Sequence, residues 1–170
     1  IEAPIGRDPV DRTRMAVVRS MLRHLRSGGA VIIFPTGTVD PDPELMPGLE
    51  RTVDDWSLSL SFLLDHCPQA RVLVGVVSGV LLPWAHRHPL PRLRRIARDR
   101  QKAAEILQIA AQAASPHSPR PVVHISLGHA DRAPLDQRMA WIRSRALIQI
   151  ASHADWLKAG WGAVGASRLW

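Results

Sequence analysis

With 170 residues, 46% of them hydrophobic, the chain has material for one domain with its own core. Its net charge of +7 rests on 20 arginines and two lysines, which suits nucleic acid, anionic lipid or a phosphorylated substrate as a partner. A single cysteine, Cys67, excludes an internal disulfide and points to a reducing compartment. The longest apolar run, residues 72–82, is interrupted by Gly75, Ser78 and Gly79. It falls well short of the roughly 20 residues a membrane-spanning helix needs, so any membrane contact is expected at the surface.

In chain order, Asp11 opens a helix whose apolar residues Met15, Val18, Leu22 and Leu25 step by three or four, and Gly28-Gly29 ends it. Residues 30–34 are a continuous apolar, β-branched run, as expected of a strand buried on both faces. A proline-rich loop covers 35–48. Leu49, Val53, Trp56, Leu60 and Leu63 then mark a second helix by their spacing, with Trp56 on its buried face. A second strand is expected at 71–77, a long loop at 78–91, and a helix at 92–114 with Leu93, Ile96, Ala103, Leu107 and Ala110 inward. After a loop at 115–121, residues 122–127 read as a third strand. A last helix starts near Leu135 and continues through Met139, Ile142, Ala146 and Ile150.

This alternation predicts an α/β fold with a mostly parallel or mixed central sheet and helices on both faces. The domain is expected to occupy residues 1–151, with 152–170 as a tail. Such folds place ligands at the C-terminal ends of buried strands, which directs attention to Pro35 and Ser78 onward.

The segment Phe34-Pro35-Thr36-Gly37-Thr38 empties a strand into a tight loop. Pro35 fixes the turn, Gly37 lets backbone approach a ligand, and Thr36 and Thr38 set hydroxyls beside backbone N–H groups, which suits an anion. The alternative is an ordinary strand-to-loop turn. The block resembles the Phe-Pro-Glu-Gly-Thr motif of the glycerol-phosphate and lysophosphatidate acyltransferase family. Ile5-Gly6-Arg7, 27 residues before Phe34, is similar to the arginine that closes an earlier strand in that family, and residues 72–79 resemble its next strand. The resemblance runs over residues 1–128.

It implies an acyltransferase-like fold, transfer of a fatty acyl group from a thioester of coenzyme A or acyl carrier protein to a glycerolipid-type hydroxyl, and no further cofactor. It also implies a substrate site at Arg7, Phe34, Pro35, Thr36, Gly37 and Thr38, and a location in the cytoplasm at the inner face of the membrane. The family's general base is the histidine of a His-x-x-x-x-Asp pair. That pair is expected upstream of Arg7, which makes this chain the C-terminal portion of the domain and inactive alone. None of the eight histidines has aspartate five positions later. Two further departures are Thr36 where the family has glutamate and Val39-Asp40 where it commonly has arginine. A non-catalytic, acyltransferase-like lipid-binding module is the alternative.

Other constellations carry less. Ser78 lacks the flanking glycines of a nucleophile elbow, since Val76 and Val80 hold those places. His86 and His88, or His66 and Cys67, have no companions at metal-ligand spacing, so no metal is expected. Between Trp84 and Lys102 there is a local excess of six positive charges, including Arg92, Arg94, Arg95 and Arg98, beside Leu81, Leu82, Trp84 and Leu90. The pairing suits an anionic membrane surface, with a solvated helix face as the plain alternative. Nucleic acid is not expected, because no recognisable module or interleaved aromatic pattern accompanies the charge.

Overall fold

The computed structural model describes residues 9–130 and 137–159. Helix α1 (Pro9–Arg26) buries Val18 and Leu22 as its periodicity requires. Gly28, at φ 85°, turns the chain off the helix, and Gly29 N–H donates to the His24 carbonyl at 2.9 Å. That is the left-handed C-terminal cap the Gly28-Gly29 pair predicts.

Residues 30–34 hold no regular structure and join no ladder among the described residues. Ile33 packs on the cluster of Val18, Leu22, Leu63 and Cys67, whereas Ile32 and Phe34 are 86% and 73% exposed. The expected doubly buried strand is therefore a half-buried segment outside the sheet. It borders the free edge of strand β1 (Leu73–Ser78) with a cleft between them, so side chains rather than backbone bonds face the gap.

The expected helix through 49–63 divides into a 3-10 turn (Leu49–Val53) and helix α2 (Leu58–His66). Ser57 accepts the Ser59 N–H at 3.1 Å and starts α2, so Asp54 and Asp55 fall in the break. The expected loop after β1 contains two short helices, α3 (Pro83–Arg87) and α4 (Pro89–Arg92), each opened by a proline at its first position. Helix α5 (Ala97–Ala114) begins five residues later than the apolar pattern predicts. Leu93 and Ile96 precede it and are 79% and 63% exposed rather than inward. The buried stripe of α5 is Gln101, Ala104 and Gln108.

Strand β2 (His124–His129) pairs with β1 antiparallel, Ser78 opposite His124 and Leu73 opposite His129. The fold thus mixes helices and strands as expected, but the one sheet among the described residues is two-stranded and antiparallel, not parallel. The reason lies in the connection: α3 and α4 carry the chain away from the end of β1, and α5 with the 115–123 loop returns it to that same end. A parallel crossover would have to deliver it to the opposite end.

Helix α6 (Arg138–Ala159) packs on both strands and on the 3-10 turn. Its Ile142 and Ala146 close a core with Val53, Leu64, Val74 and Ala130. The helix runs without interruption past residue 151, where the domain was expected to give way to a tail. Only one sheet face receives α6; on the other, Leu73, Val77, Ile125 and Leu127 are 41–65% exposed, so helices on both faces are not found among the described residues. Trp56 is partly buried against the main core, as its helical spacing suggests.

Candidate functional site

The 34–38 loop is a hydrogen-bonded turn. Gly37 N–H donates to the Phe34 carbonyl at 3.0 Å, Pro35 occupies the second position, and Gly37 sits at φ 63°, where a side chain would strain the backbone. Ser57 N–H donates to the Pro35 carbonyl at 2.9 Å and ties the turn to the start of α2. Thr36 Oγ1 reaches the Thr38 carbonyl at 3.2 Å and lies 3.4 Å from Thr38 N. The N–H groups of Gly37 and Thr38 are thereby engaged inside the turn, so the loop is not the open anion cradle its composition suggests.

What it offers instead is hydroxyl and carboxylate. Thr38 Oγ1 and Asp40 Oδ1 are buried without a partner among the described residues. Burial pushes the Asp40 carboxyl above the usual carboxylate value; the neighbouring Thr36 hydroxyl and Arg98 guanidinium oppose the shift, and Asp55 adds to it. Gln101 of α5 donates to the Asp40 carbonyl at 2.9 Å, which fixes the segment leaving the turn against that helix. Phe34, Pro35, Thr36, Gly37 and Thr38 therefore stay together as one turn. Arg7, the sixth expected site residue, lies outside the described residues.

Pro35 also lines a cleft of about 200 Å³. Val31, Ile33 and residues 70–75 line it together with Leu25, Trp56, Leu60, Leu63, Leu64 and Ile142. Apart from Arg71, every lining side chain is apolar. An apolar cavity of about 150 Å³ stays dry and accepts a hydrocarbon, whereas drug-sized ligands take roughly 300 Å³ or more, so the space suits a narrow apolar chain. A wider depression of about 450 Å³ lies against the C-terminal end of α5, lined by Gln112, Ser115, Pro116, Ser118, Arg120 and Pro121. It is remote in sequence from the loop, and Arg120 is its one titratable side chain.

A second polar group is interior. The period-two alternation of β1 and β2 places Ser78, His124 and Ser126 on the face covered by α6. There His153 Nε2 is 2.9 Å from Ser78 Oγ and His153 Nδ1 is 2.9 Å from Ser126 Oγ. Ser78 and His153 are 0% and 1% exposed. Burial, with the charge of His124, holds the His153 pKa below the ordinary histidine value against a smaller opposing effect of Asp42. A neutral imidazole donates through one nitrogen and accepts through the other, which satisfies both serines. Ser78 has no route to a substrate, so this is a packing network and not a nucleophile with its base. Nearby, Asp42 accepts the N–H groups of Gly79 at 3.1 Å, Leu81 at 3.0 Å and Glu44 at 3.1 Å. It locks the 40–45 segment onto the end of β1.

Sequence reasoning missed His153 because it sits beyond the last apolar repeat, in the stretch read as a tail. His66 stacks on Phe62 and Cys67 is buried in the α1–α2 core. No group of three or more His, Cys, Asp or Glu among the described residues could hold a metal. Likewise, no described helix is long and apolar enough to cross a membrane. No family model, curated protein or solved structure matches the chain.

Proposed function

We propose that this chain is the acceptor-side portion of an acyltransferase-type domain, in which a fatty acyl group passes from an acyl thioester to a glycerol-type hydroxyl. One observation carries the reading. The Phe34–Thr38 turn, with its resemblance to the acyltransferase block, opens directly from an apolar cleft that Pro35 shares with residues 70–75. An acyl chain in the cleft would leave its head group at the turn. Thr38 Oγ1 and Asp40 Oδ1, buried at the turn and without a partner among the described residues, would donate to and accept from a neutral hydroxyl once the turn opens to admit it. A phosphate dianion is less suited, because Asp40 repels it and the turn's N–H groups are engaged.

A non-catalytic lipid-binding module is the second reading. Thr36 in the place of the family's glutamate and the enclosure of His153 favour it. Titration of the purified chain with a monoacylglycerol, followed by tryptophan fluorescence because Trp56 lines the cleft, tests what the two readings share. Saturable binding is expected, with at least a tenfold loss in Val31→Trp, whose indole fills the cleft; tenfold corresponds to about 1.4 kcal/mol. Absence of saturable binding overturns both readings. Because the general base is expected upstream of Arg7, addition of an acyl thioester separates them only in a protein extended upstream through a His-x-x-x-x-Asp pair: turnover there supports the enzyme, and binding without turnover supports the module.

A further inference from the structure

The segment that joins α4 to α5 is unlike the rest of the surface. From Arg92 to Ile96 every residue is exposed, and Leu90, Leu93 and Ile96 are 58%, 79% and 63% exposed. These three apolar side chains are spaced three residues apart, between Arg92, Arg94 and Arg95. None of those arginines forms an ion pair among the described residues, where the salt bridges are Arg51–Glu50 and Lys158–Asp155. Water is a poor environment for Leu93 and Ile96, and three adjacent uncompensated guanidinium groups attract an anionic partner.

The segment is also held in shape. Arg100 donates from Nε to the Arg94 carbonyl at 2.6 Å and from Nη2 to the Arg95 carbonyl at 3.2 Å. Pro91 is fully buried and anchors the segment from below, and His88 Nδ1 accepts the Leu90 N–H at 3.3 Å. A platform braced in this way loses little conformational freedom on binding.

We propose that residues 90–96 are a docking patch for an anionic lipid bilayer. Leu90, Leu93 and Ile96 enter the headgroup region, and Arg92, Arg94 and Arg95 pair with lipid phosphates. Charge complementarity with interleaved exposed apolar groups selects this occupant: nucleic acid would use the arginines but leave the leucines and isoleucine in water. Arg98, which the sequence groups with these residues, also lies close enough to Asp40 to favour its charged form. Through Arg98 and Gln101 the patch adjoins the loop that carries Asp40, so docking would bring the 34–38 turn to the lipid surface. The inference does not depend on acyl transfer.

Co-sedimentation of the full chain with phosphatidylglycerol vesicles, and separately with phosphatidylcholine vesicles, tests it. Binding is expected to phosphatidylglycerol only and to weaken as salt shortens the screening length from about 10 Å towards 3 Å. The triple change Arg92→Gln, Arg94→Gln, Arg95→Gln should weaken it on the order of a hundredfold, since each basic residue near such a surface contributes about fivefold. Leu93→Ser with Ile96→Ser should weaken it independently while all charges remain. These positions are exposed, and circular dichroism of each variant guards against unfolding as the cause of lost binding. Equal binding to phosphatidylcholine, an unaffected arginine triple variant, or displacement from vesicles by a DNA duplex at equal phosphate concentration would overturn the proposal.

Discussion

Arg138→Met is expected to destabilise the protein by about 4 kcal/mol, a large share of the roughly 5–15 kcal/mol that holds a domain of this size together. Arg138 is 5% exposed, and its guanidinium points from the start of α6 into the turn that ends α2. Nη1 donates to the carbonyls of Leu64 at 3.2 Å, Cys67 at 3.4 Å and Pro68 at 3.0 Å, and Nη2 to that of Ala70 at 2.6 Å. The Leu64 carbonyl belongs to the last turn of α2, whose C=O groups lack intrahelical partners, while the Cys67 carbonyl also accepts the Ala70 N–H at 3.0 Å. A cation there also meets the negative end of the helix dipole. Methionine fills the volume and strands the acceptors. Arg138→Lys should recover only part of the loss, since an ammonium cannot span the fork that two guanidinium nitrogens occupy. Urea unfolding of the three proteins checks the order; a methionine variant within 1 kcal/mol of the parent, by the usual value for a surface change, would remove Arg138 from this role.

His153→Leu should cost about 3 kcal/mol at neutral pH by leaving the Ser78 and Ser126 hydroxyls buried and unpaired. Its effect on pH dependence is more specific. The folded-state pKa of His153 lies below the unfolded value, so the unfolded chain binds the extra proton first as pH falls. Stability from this histidine is therefore complete above the ordinary histidine range and declines as pH drops from there towards the folded pKa. Replacement with leucine should flatten that decline while other acid-sensitive groups remain. Melting temperatures of both proteins across the weakly acidic range provide the check. Parallel curves would mean that His153 does not titrate between the folded and unfolded states.

How far the sequence led can be judged from particular elements. The helices α1 and α6 lie where period 3.6 places them, because burial of a single apolar stripe is a local and strong signal, whereas the stripe at 49–63 is divided between a 3-10 turn and α2. Helix α5 was found but its face was misread. Gln101 and Gln108 turn inward because they replace missing backbone partners: Gln101 serves the Asp40 carbonyl, and Gln108 bridges Leu82 N–H at 2.7 Å and the Val80 carbonyl at 3.0 Å. Hydropathy does not distinguish such a glutamine from a solvated one. Strand direction was misread for a different reason, since the return path through α3, α4 and α5 is a tertiary property. Arg138 was hidden because arginine is almost never fully buried, and only the four carbonyls around it justify the exception.

The 34–38 turn was legible as a turn, since Pro35 and Gly37 fit its second and fourth positions. Its hydrogen-bonding character was not, because whether a backbone N–H is free depends on the side chain that folds over it. Here the Thr36 hydroxyl takes the place a ligand oxygen would occupy. The cleft beside it could not be read at all. It arises because residues 30–34 run along β1 without pairing.

The central claim is that an acyl chain lies in that cleft with its head group at the turn. A monoacylglycerol carrying a diazirine in its acyl chain, irradiated with the purified protein and followed by peptide mapping, tests it most directly. Labelling is expected within the cleft lining, at residues 31–35, 56–64 and 70–75 with Leu25 and Ile142, and is suppressed by excess unlabelled monoacylglycerol. Labelling confined to the 90–96 segment, or spread over the surface and unaffected by competitor, would contradict it.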